Sequence, residues 1–193
     1  MKLWGVPTAG ALAGWPAALG ALGPWLYLGM GTTPHSHSKG FRTGLLGTGA
    51  FLSGMGIAPI IGMASAVDPM IVPTALLATT GMFGVMSVSA LAMPKGRMAA
   101  MGGPLFAGVL GLCGVGIAGM FVEPSSPWYP VLHSVSLYGG LGIFSIYIAY
   151  DTQQMINDYE EGNRDTVTAA LNMFINVKQV FTRFLIIFIG RND

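Results

Sequence analysis

Charged residues are scarce in this sequence. Of its 193 residues, 9% are Asp, Glu, Lys or Arg, whereas soluble domains carry about a quarter, so the composition argues strongly against a water-soluble globular enzyme. The formal net charge of +1 gives no basic surface for nucleic acid, and no nucleic-acid partner is expected. The single cysteine, Cys113, cannot form an internal disulfide, and no Cys/His cluster has metal-site spacing. Neither a metal site nor a cofactor is predicted.

Hydrophobic residues, at 52%, fill the long stretches between the few charges. Five charge-free runs of about 25 residues or more occur, and roughly 20 apolar residues suffice to span a bilayer as a helix. A sixth segment carries Lys178 and Arg183 but ends in an apolar third. The sequence predicts a single all-α transmembrane domain over residues 1–193, embedded in a lipid bilayer. This polytopic helix bundle has about six transmembrane helices, at about 8–30, 43–66, 69–93, 98–121, 129–150 and 166–190.

Polar residues form a stripe along the sixth segment. They recur at spacings of three, four and seven, which place them on one helical face: Asp165, Asn172, Asn176, Gln179 and Arg183. A helix with such a stripe either lies at the membrane interface or buries its polar face inside a bundle. Because this segment ends in apolar residues, the buried arrangement is favoured. These five side chains are candidates for lining a polar path.

A short motif ends the fifth predicted span. Residues 150–153 read YDTQ, after LYGG at 137–140, and the motif consists of Tyr150, Asp151, Thr152 and Gln153. This run resembles the signature of the transmembrane Bax inhibitor motif family. Segments Met55–Gly62 and Met101–Pro124 look like matching parts of its mitochondrial branch, that of the growth-hormone-inducible transmembrane protein. ALNMF at 170–174 is similar to the start of that branch's final helix. The resemblance covers roughly residues 40–190.

The resemblance implies both a fold and an activity. Members form a bundle of about seven helices around a central last helix, and they are described as calcium leak channels or as calcium/proton exchangers of the mitochondrial inner membrane. Their gate is a pair of aspartates, one in the YDTQ motif, here Asp151, and one in the final helix. Two close carboxylates share a proton, and calcium requires oxygen ligands. Asp151 is therefore the candidate ion gate, and calcium is the implied cargo.

The sequence departs from the family pattern at three points. Alignment on LNMF places Ala169 where the second aspartate is expected, with Asp165 about one helical turn earlier. The family's arginine on an early helix has no evident counterpart, since Lys2 is the only cation before Lys39. The family's first span is not recognised either. These departures predict a degenerate member of the family.

Two functions from different classes follow. The first is a non-conducting accessory or structural subunit of a larger mitochondrial inner-membrane assembly, such as a respiratory or ATP synthase complex, with other membrane subunits as partners. The alternative is a calcium leak channel or calcium/proton exchanger that uses Asp151. Asp151 can equally be interpreted as a solvated carboxylate at the end of a span, with no role in gating. Enzymatic activity is not expected, because no nucleophile, acid/base pair or phosphate-binding loop is recognisable.

Overall fold

A computed structural model describes residues 9–94, 96–123 and 125–191. Within these ranges the chain is helical and contains no strand. Short π-helical turns at Tyr27–Gly31 and Val135–Gly139 follow the first and fifth helices, and a 3-10 turn at Ala99–Met101 precedes the fourth. The α-helices are α1 Ala9–Leu26, α2 Lys39–Val67, α3 Ile71–Ala92, α4 Gly102–Phe121, α5 Trp128–Ser134, α6 Gly140–Glu160 and α7 Thr166–Arg191. The predicted all-α membrane helix bundle is confirmed.

Five helical segments in the described ranges are long and apolar enough to cross a membrane. They are α2, α3, α4, the continuous segment Trp128–Glu160 and α7, which correspond to the second to sixth predicted spans. The first predicted span, at 8–30, coincides with α1 and the π-helical turn after it, and residue 8 lies outside the described residues. The structure thus supplies five candidate spans where six were predicted.

The fifth span is longer than the sequence predicts. Instead of ending at residue 150, α6 continues to Glu160, because the buried side chains of Asp151 and Gln153 hold its polar second half against neighbouring helices. The chain turns away from the helix at Gly162, two residues after its end, where a φ of 84° favours glycine. Asp151 therefore lies in the middle of a helix rather than at a span end.

The last helix occupies the centre of the bundle. α7 contacts α2, α3 and α6, and its apolar side forms a core with α2 and α3 that contains Ala64, Ile71, Ala75, Phe181, Leu185 and Ile189. α1 packs on α2, and α4 packs on α6. This arrangement agrees with the central last helix that the family resemblance implies.

The outer surface of the bundle is apolar. On α4, Leu105 is the one described residue that is buried, while large apolar side chains point outward from it, among them Phe106, Leu110, Ile117 and Phe121. A soluble protein rarely exposes so continuous an apolar surface. Exposed apolar surface of this extent, spread over several helices, is typical of a protein that contacts a lipid bilayer.

Candidate functional site

The YDTQ motif lies on α6, and its four residues meet different neighbours. The ring of Tyr150 packs against Gly102 at the start of α4, where a β-carbon would approach the phenol oxygen to 3.0 Å. The hydroxyl of Thr152 lies 3.4 Å from that of Ser87 on α3. The remaining two residues face α7 and the connection from α3 to α4. The motif therefore fixes α6 among three other helices.

Gln153 joins α6 to the connection between α3 and α4. Its side-chain amide donates to the carbonyl oxygen of Ala90 at 3.0 Å, and its Oε1 accepts from the backbone N–H of Met98 at 3.1 Å. Gln153 is 4% exposed, so these bonds satisfy polar groups that water does not reach. This residue stabilises the fold rather than serving as an ion ligand.

Asp151 faces the central helix and is 8% exposed. Nδ2 of Asn176, itself 4% exposed, donates to Oδ2 of Asp151 at 2.5 Å. Asn176 is the residue of α7 that bonds to Asp151, whereas Ala169, which the alignment places at the second aspartate, lines the cleft. Ala169 lies two turns earlier on α7. An asparagine has nearly the shape of an aspartate without its charge, so this pair contains one ionisable group.

A polar cleft leads to Asp151 from the end of the bundle where α6 and α7 are connected. It has a volume of about 80 Å³ and is lined by Asp151, Gln154, Met155, Asp158, Asn163, Asp165, Thr168, Ala169 and Asn172. Three of these residues are aspartates, and the only charged side chains in the lining are theirs. The amide of Gln154 donates to Asp158 at 3.0 Å. The cleft presents carboxylate and amide oxygens, the donors that hard cations prefer.

Asp165 lies beside the cleft in a buried ion pair. Both terminal nitrogens of Arg42 on α2 donate to its carboxylate, at 2.7 and 2.6 Å. Thr32 and Thr168 complete this network, which we call the Arg42 clamp: Nε of Arg42 donates to Thr32 and Nη2 to Thr168. Asp165 also accepts from the backbone N–H of Thr168 at 3.2 Å and so caps α7. The hydrogen bonds from Arg42 and Thr168 lower the pKa of Asp165 to about 2, against burial, which acts in the opposite direction.

The remaining residues of the polar stripe lie at different depths. Asn172 is exposed and borders the cleft, while Gln179 and Arg183 continue the stripe beyond Asn176. Nη1 of Arg183 donates to Oε1 of Gln179 at 2.7 Å. Along α7 the stripe therefore runs from the acidic cleft, past the Asp151–Asn176 pair, to an arginine.

Arg42 and Asp158 belong to the site, although the sequence analysis did not single them out as site residues. Arg42 lies in the first turns of α2, after the cap that Ser38 provides by accepting from the N–H of Phe41. A cation near a helix N-terminus is electrostatically unfavourable, so it requires a carboxylate partner. The position of Arg42 near a helix N-terminus can be recognised in the sequence, but its partner Asp165 lies 123 residues further along the chain.

No preformed metal cage exists in the described part of the chain. No group of three His, Cys, Asp or Glu side chains is placed there to hold a metal ion.

Comparison with known proteins places this site in a family. Residues 2–193 match the family described as inhibitor of apoptosis-promoting Bax1. The chain is 31% identical to Bax inhibitor 1 of Bos taurus over 176 residues, which cover 91% of this chain and 72% of that protein. It is 32% identical to Bax inhibitor 1 of Homo sapiens over 176 residues (91% and 71%), and 32% identical to that of Arabidopsis thaliana over 169 residues (88% and 66%).

These comparisons confirm the family and refine its branch. The relatives carry the name Bax inhibitor 1, not growth-hormone-inducible transmembrane protein, so the expected mitochondrial branch is not the one they represent. The match extends across almost the whole chain, including both helices that hold Asp151 and Asn176. This chain belongs to the Bax inhibitor family of multi-pass membrane proteins.

Proposed function

We propose that this protein is a cation leak pathway through the membrane, with calcium as its cargo and Asp151 as its gating carboxylate. The observation that carries the proposal is the position of Asp151, which is 8% exposed within the bundle yet lines a cleft open at one end. Ionisable groups inside a membrane protein are costly to keep and typically mark ion paths. The family resemblance assigns the same role to the aspartate of this motif.

The charge distribution indicates that cations enter the bundle through the cleft. Asp151, Asp158 and Asp165 line one cleft, and carboxylates concentrate cations at a mouth from which they can move inward. The Arg42 clamp neutralises Asp165. The two cleft carboxylates that lie outside the clamp are those of Asp158 at the rim and Asp151 deeper in the bundle. A cation attracted to the rim therefore meets its next carboxylate at Asp151.

Asn176 decides how the gate responds to protons. Two adjacent aspartates would share a proton and open as it leaves. Here the neutral amide donates a hydrogen bond to Asp151, as the protonated member of such a pair would. The proposed gate is thus an aspartate pair with one member held permanently in its uncharged form, and it acts without covalent chemistry or a cofactor.

The test is calcium flux into proteoliposomes that contain the purified chain, compared with the variant Asp151→Asn. We expect flux above that of empty vesicles in the wild type and its loss in the variant. Asp68→Asn is the matched control, since Asp68 lies in the α2–α3 connection and is not among the residues that line the cleft. Flux that is equal in the wild type and in Asp151→Asn would refute the gate.

The accessory-subunit function in a mitochondrial complex stays a prediction. Its sequence basis is the interrupted aspartate pair and the resemblance to the mitochondrial branch. The contact of Asn176 with Asp151 weakens the first argument, since an amide of nearly the same shape as a carboxyl group lies beside Asp151. Purification in mild detergent, with a search for stoichiometric partner subunits and for mitochondrial localisation, would test this function directly.

A further inference from the structure

Arg183 lies at the inner end of the polar stripe on α7. It is seven residues beyond Asn176, about 10 Å along the helix axis. Its Nη1 donates to Oε1 of Gln179 at 2.7 Å and to the backbone oxygen of Gln179 at 3.1 Å. Its guanidinium carbon lies 4.8 Å from the centre of the Phe144 ring. Arg183 is thus a cation held by two oxygens and an aromatic face.

The oxygen atoms that Arg183 contacts are ones that a permeating cation would need as ligands. Gln179 is the next polar residue on the stripe after Asn176, and both its side-chain and its backbone oxygen are occupied by Arg183. A cation that moves inward from Asp151 therefore finds the following oxygens already bound to a positive charge. The oxygens that follow Asn176 along the stripe are thus bound to a cation that belongs to the protein.

The charge of Arg183 is not balanced by a carboxylate contact. In the described part of the chain, the ion pair is that of Arg42 with Asp165. Nε of Arg183 is buried without a hydrogen-bond partner there. A half-buried guanidinium in this condition is expensive inside a membrane protein, which points to a function other than stabilisation.

Gly140 creates the space that the guanidinium occupies. A β-carbon at this position of α6 would overlap with the Nε, Nη2 and Cζ atoms of Arg183. The guanidinium is therefore seated by shape against the α6 backbone. Any side chain at position 140 would displace it.

We propose that Arg183 is a tethered plug that narrows the inner end of the path, limits calcium flux through it and sets its selectivity between cations of different charge. This inference rests on the proposed function, because it concerns the route beyond Asp151. Repulsion from a fixed positive charge grows with the charge of the ion. The plug therefore restricts divalent cations more than monovalent ones.

The experiment measures calcium and potassium fluxes into proteoliposomes for the wild type, Arg183→Gln and Arg183→Lys. We expect Arg183→Gln to raise the ratio of calcium to potassium flux by at least about threefold. Arg183→Lys keeps the charge and is expected to keep the wild-type ratio. Retention of an entrapped large dye excludes a general leak, which would admit both ions and the dye.

A pair of glycine variants tests the plug without changing its charge. Gly140→Ala displaces the guanidinium and is expected to raise the calcium to potassium ratio. Gly142→Ala is the matched control on the same helix, since no atom lies within 4 Å of a β-carbon there, and it is expected to behave as the wild type. If Arg183→Gln does not fold, this pair decides the question.

The outcomes separate the plug from the proposed function. An unchanged flux ratio in Arg183→Gln and Gly140→Ala would overturn the plug, even where Asp151→Asn abolishes flux. A raised ratio that persists in the double variant Asp151→Asn/Arg183→Gln would support the plug and refute Asp151 as the gate. Absence of flux in the wild type and in all folded Arg183 and Gly140 variants would overturn both.

Discussion

Asn176 donates a hydrogen bond of 2.5 Å to Asp151 from the helix at the centre of the bundle. The two residues stand 25 positions apart in sequence and are brought together because α7 returns alongside α6 after the turn at Gly162. An amide in this position fills the space of a carboxyl group and supplies the N–H that Asp151 needs in a buried setting. Asp151 can therefore stay in the interior without a cation beside it.

Replacement of this amide by a carboxyl group should make conduction dependent on pH. In Asn176→Asp, two carboxyl groups would lie in contact, and they would share a proton because both cannot ionise cheaply. We expect calcium flux in proteoliposomes to fall on acidification over a range in which wild-type flux is constant. Asn157→Asp, the same change at a residue of α6 that does not line the cleft, is the control and should not introduce this dependence. Identical pH profiles for wild type and Asn176→Asp would contradict the expectation.

The Arg42 clamp should make the stability of the fold sensitive to acid. The pKa of Asp165 is lowered from 3.8 to about 2 in the folded protein, so its contribution is present above pH 3.8 and is lost as pH falls to about 2. Because solvent screens a partly exposed carboxylate, we expect a loss on the order of 1 kcal/mol in the free energy of unfolding. Unfolding in detergent, followed as a function of pH, measures it.

The variant Asp165→Asn is the control for the clamp. It lacks the ionisable group, so its stability at neutral pH should be lower and its decrease between pH 3.8 and about 2 should be smaller than that of the wild type. A wild-type stability that declines no more steeply than that of Asp165→Asn in this interval would show that the ion pair does not contribute.

Two adjacent glutamines should differ strongly in their importance for stability. Gln153→Ala removes the side-chain partner of the buried Met98 N–H and one of two donors to the Ala90 carbonyl, which also accepts from the N–H of Met93. We expect a loss of about 1–3 kcal/mol in the free energy of unfolding. Gln154→Ala removes a bond to Asp158 at the edge of the cleft and should cost much less. Thermal unfolding in detergent compares the two, and equal losses would count against the structural role of Gln153.

Close packing between α1 and α2 should depend on one glycine. A β-carbon on Gly49 would overlap with the indole ring of Trp25, whereas one on Gly47 meets no atom within 4 Å. We expect Gly49→Ala to lower the free energy of unfolding by about 1–3 kcal/mol. Gly47→Ala should be neutral or slightly stabilising, because it removes a flexible residue from a helix. A melting temperature for Gly49→Ala as high as that for Gly47→Ala would contradict the packing described here.

The sequence predicted the helices better than it predicted the contacts between them. Charge-free runs locate membrane-spanning helices because length and hydropathy are local properties, and five of the six predicted segments correspond to apolar helices long enough to span. The helix that contains the fifth predicted span continues ten residues beyond the predicted end of that span. Polar residues after position 150 suggested an exit from the membrane, whereas burial of Gln153 against α3 keeps them helical and packed.

The site was predictable in its residue types but not in its pairings. Periodicity placed Asn176 on the polar face of the last helix, and the motif singled out Asp151. Which residue of α7 meets Asp151 depends on the axial offset and rotation of two packed helices, and a one-turn error in alignment changes the answer. For the same reason, the pairing of Arg42 with Asp165 could not be inferred from either segment alone.

The surroundings of α6 determine which parts of the bundle can move. Three residues of one turn of α6, Tyr150, Thr152 and Gln153, contact α4, α3 and the connection between them, so α6 cannot rotate or slide without breaking these contacts together. These contacts hold α6 in a fixed position in the bundle. The Arg42 clamp, in contrast, ties α7 to α2. An opening between α6 and α7 that leaves the Arg42 clamp intact would therefore carry α2 along with α7, and it would disturb the apolar core that α7 shares with α3.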